Sequence, residues 1–376
     1  MRILFICKDN PFGVGGANFA AHAFLRAFSD LAEGQIDVVM SSEIQEENSI
    51  RVANYYKTPP RSFVSKILSV VTGQMHRHTL TVKRLLKSGQ RYDLVVFNNS
   101  KVSANLLEVT RATGAKRVTI HHNLELEYFL DNTPNAIFRR LFKKHVAEAE
   151  RTSYLNSEVN LFLTFSDLQE FERIYGKNGK INECIRGFEY KDLPEVIEKP
   201  YDGQRPVIAI TGSLCTVQGI DGVKYFFSEL YSSVPDNFSI IISGRSPSKE
   251  VVELCESKNN VELIANPIDM NEVINKADIY LCPTRLGGGQ KLRVMDGLRL
   301  GLPVLTHACS ERGYEDFKLS GSLASFSNAD DFKTALSQMC ERLQKGLVNR
   351  ETVRNQYAEI FSYEAGLSRI KRIFEG

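Results

Sequence analysis

Several things are missing from this sequence of 376 residues, and each absence narrows what it can be. There is no run of eighteen apolar residues, so no segment reads as a membrane-spanning helix. The N-terminal Met1–Cys7 run is too short for a signal peptide and meets Lys8 and Asp9 at once, so it reads as a first β-strand. The seven cysteines are scattered singly, with no Cys-x-x-Cys pair. That argues against zinc and for unpaired thiols in a reducing, cytoplasmic setting. No Asp-x-Asp occurs, so a carboxylate clamp for a metal-bound diphosphate is unsupported, and no metal is expected. The forty-five residues Asn48–Tyr92 hold nine Lys or Arg and no carboxylate at all.

What is present is ordinary globular composition, 43% hydrophobic and 24% charged. The length suggests two domains. The net charge of +2 is unevenly spread. Residues 1–187 carry 25 basic and 19 acidic side chains, a net of +6, whereas the remainder carries 22 and 26, a net of −4. The first half should therefore attract an anionic partner. Residues 48–92 and 137–144 interleave basic and apolar groups, as in Ile137-Phe138-Arg139-Arg140-Leu141-Phe142-Lys143-Lys144. Ser65–Val71 fits a membrane interface, with Lys66, Arg77, Lys83 and Arg84 meeting lipid phosphates. No nucleic-acid-binding motif accompanies the charge, so nucleic acid is not expected as a partner.

Strand and helix signals alternate twice. Arg2–Cys7, Ile36–Met40, Asp93–Asn98, Arg117–His121 and Val159–Thr164 are continuous apolar runs, as strands of a parallel sheet covered on both faces require. Asn18–Ala32 has helical spacing, and Ser166-Asp167 reads as the cap of a further helix. Residues 188–205, with Pro194, Pro200 and Gly203, read as a linker between domains 1–187 and 206–355. Strands are then expected at Val207–Thr211, Phe238–Ser243, Val261–Ile264, Ile279–Cys282 and Pro303–Thr306. Helices are expected at Gly222–Tyr231, Lys249–Glu256, Met270–Asn275 and Lys291–Arg299, and the last sixty residues read as helical. The fold class is α/β with two doubly wound Rossmann-like domains facing a cleft. The terminal helix, 356–376, is expected to pack back on the first domain.

Ligands of such sheets lie at the carboxyl ends of the strands. There, Gly287-Gly288-Gly289-Gln290 leads from a strand ending at Pro283 into a helix. Free backbone N–H groups and Lys291 make this an anion site suited to a diphosphate, or else a turn that lets the helix pack closely. Asp296, one to two turns on, is placed to accept hydrogen bonds from a ribose diol. The loop Phe12–Asn18 carries Gly15 and Gly16 but fails the dinucleotide fingerprint, because Asn18 stands at the third glycine position. A nicotinamide-dependent enzyme is therefore disfavoured.

The segment Pro283–Gly297, followed by Gly301-Leu302-Pro303-Val304, resembles the donor-binding signature of GT-B glycosyltransferases of the family 4 type. The pieces Ile210–Leu214, Ile241–Pro247 and Val261–Asp269 fit the same family in order. His122-Asn123-Leu124-Glu125, before Tyr128, resembles the motif of its polysaccharide-assembling members. The resemblance implies transfer of a sugar from a nucleoside diphosphate, UDP-linked by preference, to a glycan or lipid-linked glycan, with retention of configuration and no cofactor. It implies catalytic roles for His122, Glu125 and Lys291. Donor contacts fall to Gly15, Gly16, Asn123, Ser213, Arg245, Pro267, Ile268, Gly288, Gly289, Gln290, Lys291, Leu292 and Asp296. It implies a role in surface polysaccharide or glycoconjugate assembly; the expected place is the cytoplasm, with the basic stretches 48–92 and 137–144 giving peripheral attachment to the inner face of the cell membrane. Two departures stand out. The family's paired Glu residues are Gly288 and Asp296 here, and the loop Ser213–Gln218 lacks the usual Arg and Lys, so Lys291, Arg293 or Arg245 must supply the charge. Those departures leave open a non-catalytic partner subunit that binds the donor without transferring it.

Overall fold

The computed structural model describes residues 1–13, 15–45, 49–60, 62–133, 135–197 and 199–375. Val14 of the glycine loop, Asn48 and Arg61 of the acid-free stretch, Glu198 of the expected linker and the terminal Gly376 lie outside the described residues. The chain divides into two compact units. The first is Met1–Lys191 with Gly288–Gln290 and Phe361–Gly376; the second is Asp192–Gly287 with Lys291–Ile360.

The first unit is built on seven strands: β1 (Ile3–Cys7), β2 (Ile36–Ser41), β3 (Asn54–Thr58), β4 (Leu94–Asn98), β5 (Lys116–His121), β6 (Val159–Phe162) and β7 (Ile181–Cys184). Their order is β3-β2-β1-β4-β5-β6-β7, and every pairing is parallel. Because side chains alternate along a strand, Ile3 and Phe5 face a cluster with Phe24 and Phe28, while Leu4 and Ile6 face one with Val102 and Leu106. Both faces are covered, which is why the central strands read as unbroken apolar runs. The edge strands do not: β3 (Asn-Tyr-Tyr-Lys-Thr) and β7 (Ile-Asn-Glu-Cys) alternate or expose their side chains, and neither is expected from apolar pattern.

The helix Tyr363–Phe374 belongs to this unit. Its Tyr363 Oη donates to Asp30, and Gly366 lies so close to Phe188 that a Cβ there would fall 2.1 Å from the ring. Phe188 and Glu189, expected to open a linker, are buried. The aromatic ring of Phe188 packs edge-on against Phe24.

The second unit holds β8 (Val207–Ser213), β9 (Ser239–Arg245), β10 (Val261–Ala265), β11 (Ile279–Cys282), β12 (Val304–His307) and β13 (Leu323–Phe326). The order is β10-β9-β8-β11-β12-β13, again all parallel. It is the same winding as in the first unit, so both are Rossmann-like. Four residues depart from the helical expectation for the C-terminal region: Leu323–Phe326 pair with β12. The helix expected over Gly222–Tyr231 starts earlier, at Val217, capped by Thr216, and ends in a π turn at Phe226–Leu230. The cap expected at Ser166-Asp167 is Thr164, whose hydroxyl accepts the Asp167 N–H at 2.9 Å.

Candidate functional site

In the first unit the chemistry collects at the carboxyl ends of β1, β4 and β5. The order of strands runs outward in both directions from the β1–β4 pair, the position where doubly wound sheets open a crevice. Strand β4 ends in Asn98, which is fully buried. Its Oδ1 lies 2.6 Å from Nε2 of His122, just after β5. Burial holds the His122 ring down to a pKa of about 4, with Lys8 acting in the same direction against Asp9 and Glu125, so the ring is neutral near pH 7.

Glu125 is not a free base. It is buried, with Oε1 accepting from Asn99 Nδ2 at 2.8 Å and Oε2 paired with Lys101 at 2.8 Å. Burial works against its charge, but Lys101 and Lys8 with the two hydrogen bonds prevail and hold the carboxyl below its usual range. The group anchors the short helix Glu125–Asn132 rather than presenting a proton acceptor. Beside it, Glu150 accepts the Leu126 N–H at 3.0 Å and the Tyr175 hydroxyl at 2.8 Å, and burial pushes its pKa up to about 7. Lys8, Asn98, Asn99 and Lys101 carry this network, and no motif in the sequence singles them out.

Gly15 has φ of 128° and is the residue that leads into the helix Gly16–Leu31. From the other half of the sequence, Gly288–Gln290 joins this unit. A Cβ on Gly289 (φ +73°) would sit 2.8 Å from the His122 carbonyl oxygen and 3.0 Å from Asn123 Cβ. Gln290 Oε1 accepts the Gly187 N–H at 2.7 Å. The glycine loop and the His122–Asn123 turn, two separate sequence signals, therefore meet.

In the second unit the helix expected from Lys291 is Leu292–Leu298, with Lys291 as its N-terminal flanking residue. The Lys291 ammonium is buried and donates to the Gly287 carbonyl, and its own carbonyl accepts the Tyr314 hydroxyl at 2.7 Å. A Cβ on Gly287 would lie 2.5 Å from Gln218 Nε2 and 3.1 Å from Lys291 Nζ. Gln218, in the first turn of the helix after β8, thus places its side-chain amide beside the glycine loop. Arg293 lies across the end of β8: its Cζ is 2.6 Å from where a Gly212 Cβ would be, and Nη2 reaches the Ser213 carbonyl at 3.5 Å. Gly212 (φ +146°) is what leaves room for this guanidinium.

Arg245 stands exposed at the end of β9, opposite Ser213 in register, and Pro267 and Ile268 follow β10, with Ile268 fully exposed. Asp296 is paired with Arg299 at 3.0 Å; burial raises its pKa while Arg299 and Arg293 oppose the rise. No group of His, Cys, Asp or Glu among the described residues is arranged to hold a metal ion.

Three comparisons bear on this geometry. Residues 205–342 match the family model for glycosyl transferases group 1. The fold of the whole chain is that of the GT-B glycosyltransferases. Sucrose-phosphate synthase from Thermosynechococcus elongatus is 12% identical, covers 100% of this chain and 98% of its own, and superposes with a TM-score of 0.71. HepE from Anabaena, solved in complex with UDP and glucose, is 14% identical over 100% of both chains, with a TM-score of 0.67. WaaG, a glycosyltransferase involved in lipopolysaccharide biosynthesis, is 17% identical over 100% of both chains, also at 0.67. By sequence, S-adenosylmethionine:tRNA ribosyltransferase-isomerase of Francisella tularensis subsp. holarctica is 24% identical over 218 residues. That alignment covers 54% of this chain and 58% of the other, so the chain spans little more than half the length of these curated relatives. The GT-B likeness covers the entire chain, and it accounts for both sheets.

Proposed function

We propose that this protein transfers a sugar from a nucleoside diphosphate, UDP by preference, to a hydroxyl of a glycan or lipid-linked glycan, with retention of configuration and without a metal. The observation that carries this reading is the grouping of Lys291, Gln218 and Arg293 around Gly287 and Gly212, inside the segment that matches glycosyl transferases group 1. Departure of a diphosphate builds negative charge, and positioned cations and N–H donors at that point lower the barrier. Asp296 is the candidate for the ribose hydroxyls. With both of its oxygens engaged, Glu125 is not offered as a nucleophile. Attack from the leaving-group side fits this: the departing phosphate oxygen takes the acceptor's proton as the new glycosidic bond forms.

The UDP bound by HepE and the involvement of WaaG in lipopolysaccharide biosynthesis support the choice of UDP and of a surface-polysaccharide role. Attachment to the inner face of the cell membrane is part of the reading. The helix Phe63–Thr72 buries none of its side chains and packs beside the helix Ala136–Asn156. Phe63 is 77% exposed, Ile137 72% and Leu141 61%, with Lys66, Arg140, Lys143 and Lys144 also exposed around them. Apolar side chains ringed by cations match an anionic lipid surface. No helix among the described residues is long and apolar enough to cross a membrane.

A panel of UDP-sugars, assayed for release of UDP with and without candidate acceptors, tests the proposal. Binding without release or transfer for every donor favours instead a donor-binding partner subunit, the reading to which Gly288 and the occupied Glu125 point. Absence of any nucleotide binding sinks both.

A further inference from the structure

We propose that Asn98 turns the loops after β4 and β5 into a reader of sugar hydroxyl groups, by fixing the ring of His122 and by offering its own free amide N–H groups. The inference rests on the sugar-transfer reading and names a recognition residue for it.

The argument begins with a buried amide. Strand β4 reads Leu-Val-Val-Phe and then Asn98, which is fully buried at its end. A buried polar group without a partner is costly. Yet only the Asn98 Oδ1 is engaged, by His122, while Nδ2 is enclosed and makes no hydrogen bond. The backbone that presents it is held firmly. The next residue, Asn99, has φ of 140°, an uncommon conformation for a side chain with a Cβ. It is kept there by hydrogen bonds from Asn99 Nδ2 to Glu125 and from the Lys101 N–H to Asn99 Oδ1.

The bond to Asn98 Oδ1 requires the His122 proton on Nε2, which leaves Nδ1 as an acceptor. Two neighbours repeat the pattern. Asn123 Oδ1 and Gln290 Nε2 are buried without partners, and Gly289 brings the Gln290 segment onto the His122–Asn123 backbone. The unused set is two donors (Asn98 Nδ2, Gln290 Nε2) and two acceptors (His122 Nδ1, Asn123 Oδ1), all neutral. A phosphate only accepts and calls for cations. A hydroxyl both donates and accepts, so the set suits a polyol, the sugar, rather than the diphosphate.

Two measurements test this. In the first, affinities for UDP, UDP-glucose, UDP-galactose and UDP-N-acetylglucosamine are compared by calorimetry. In the wild-type protein at least one UDP-sugar should bind about ten-fold more tightly than UDP, the worth of one or two good hydrogen bonds. Asn98→Ala should erase that increment and leave UDP affinity unchanged; an increment that survives overturns the proposal. Should the wild type bind none of the four, the sugar-transfer reading fails, and the second measurement decides alone on Asn98.

The second needs no ligand. Nitrogen NMR of 15N-histidine-labelled protein, with the His122 signal assigned by its loss in His122→Gln, reports which ring nitrogen holds the proton. Nε2–H is expected, and Nδ1–H overturns the proposal. In Asn98→Asp the new carboxylate should raise the titration midpoint of His122 by at least one pH unit against the existing field of Lys8, Asp9, Glu125 and His121. An unmoved midpoint also overturns it.

Discussion

Asn98 and His122 are joined end to end, amide oxygen to ring nitrogen, at 2.6 Å, across the carboxyl ends of the adjacent strands β4 and β5. With the ring held near a pKa of about 4, it does not change charge around neutrality. Transfer should therefore show no step attributable to His122 between pH 6 and 8. His122→Ala should lower kcat by about 10²-fold, the scale of a lost positioning or polar contact at the reacting sugar. A pH profile and kcat for the two proteins check both statements, and a step near pH 6.5 that disappears in His122→Ala contradicts the first.

His121, the neighbouring ring, predicts an acid sensitivity. It is buried, stacked on Phe162, bonded to Asn160 at 2.9 Å, and held down to about 4 by burial. The unfolded chain takes up this proton first, at its ordinary value of 6.5. Stability is therefore lost as pH falls from 6.5 towards 4, by up to about 3 kcal/mol from this group. Glu150, raised to about 7, acts with the opposite sign: its contribution worsens as pH rises from 4.5 to 7. Urea midpoints measured across pH 4 to 7 should show a steeper rise in Glu150→Gln and a flatter one in His121→Gln than in the wild type.

Arg293 depends on Gly212 for its place. Gly212→Ala puts a Cβ 2.6 Å from the guanidinium carbon at φ +146°. The variant should lose about 1–3 kcal/mol of stability and weaken UDP binding about ten-fold by displacing Arg293. Arg293→Ala and Lys291→Ala should weaken UDP similarly or more, without the stability loss expected of a strained strand. Calorimetric titration of UDP, beside thermal unfolding, separates the two effects. Full UDP affinity in Arg293→Ala and Lys291→Ala alike removes the diphosphate assignment.

The apolar helix face makes the membrane prediction. Co-sedimentation with vesicles containing phosphatidylglycerol should capture the wild-type protein at low salt and release it as salt rises. Replacing Phe63, Ile67 and Leu141 together by Ser should abolish capture while the UDP Kd stays unchanged. Equal capture of the triple variant, or none of the wild type, counts against a lipid surface.

The sequence by itself determined the two rounds of strand and helix, because central parallel strands are apolar on both faces and a run such as Leu94–Phe97 has no other use. It also determined the glycine loop and the His122-Asn123-Leu124-Glu125 turn, since glycines before a helix and polar groups after a strand are local patterns. The edge strands β3, β7 and β13 were not legible, because half-exposed strands need no apolar run, only a neighbour to pair with. The roles of the side chains were decided only in three dimensions. Glu125 reads as a candidate base, yet Asn99 and Lys101, some 25 residues away in the chain, occupy both its oxygens. Asn98 reads as the end of a strand, yet it holds His122. Hydrogen-bond partners come from separate strands brought side by side, and no local pattern encodes which of their polar atoms will be left without one.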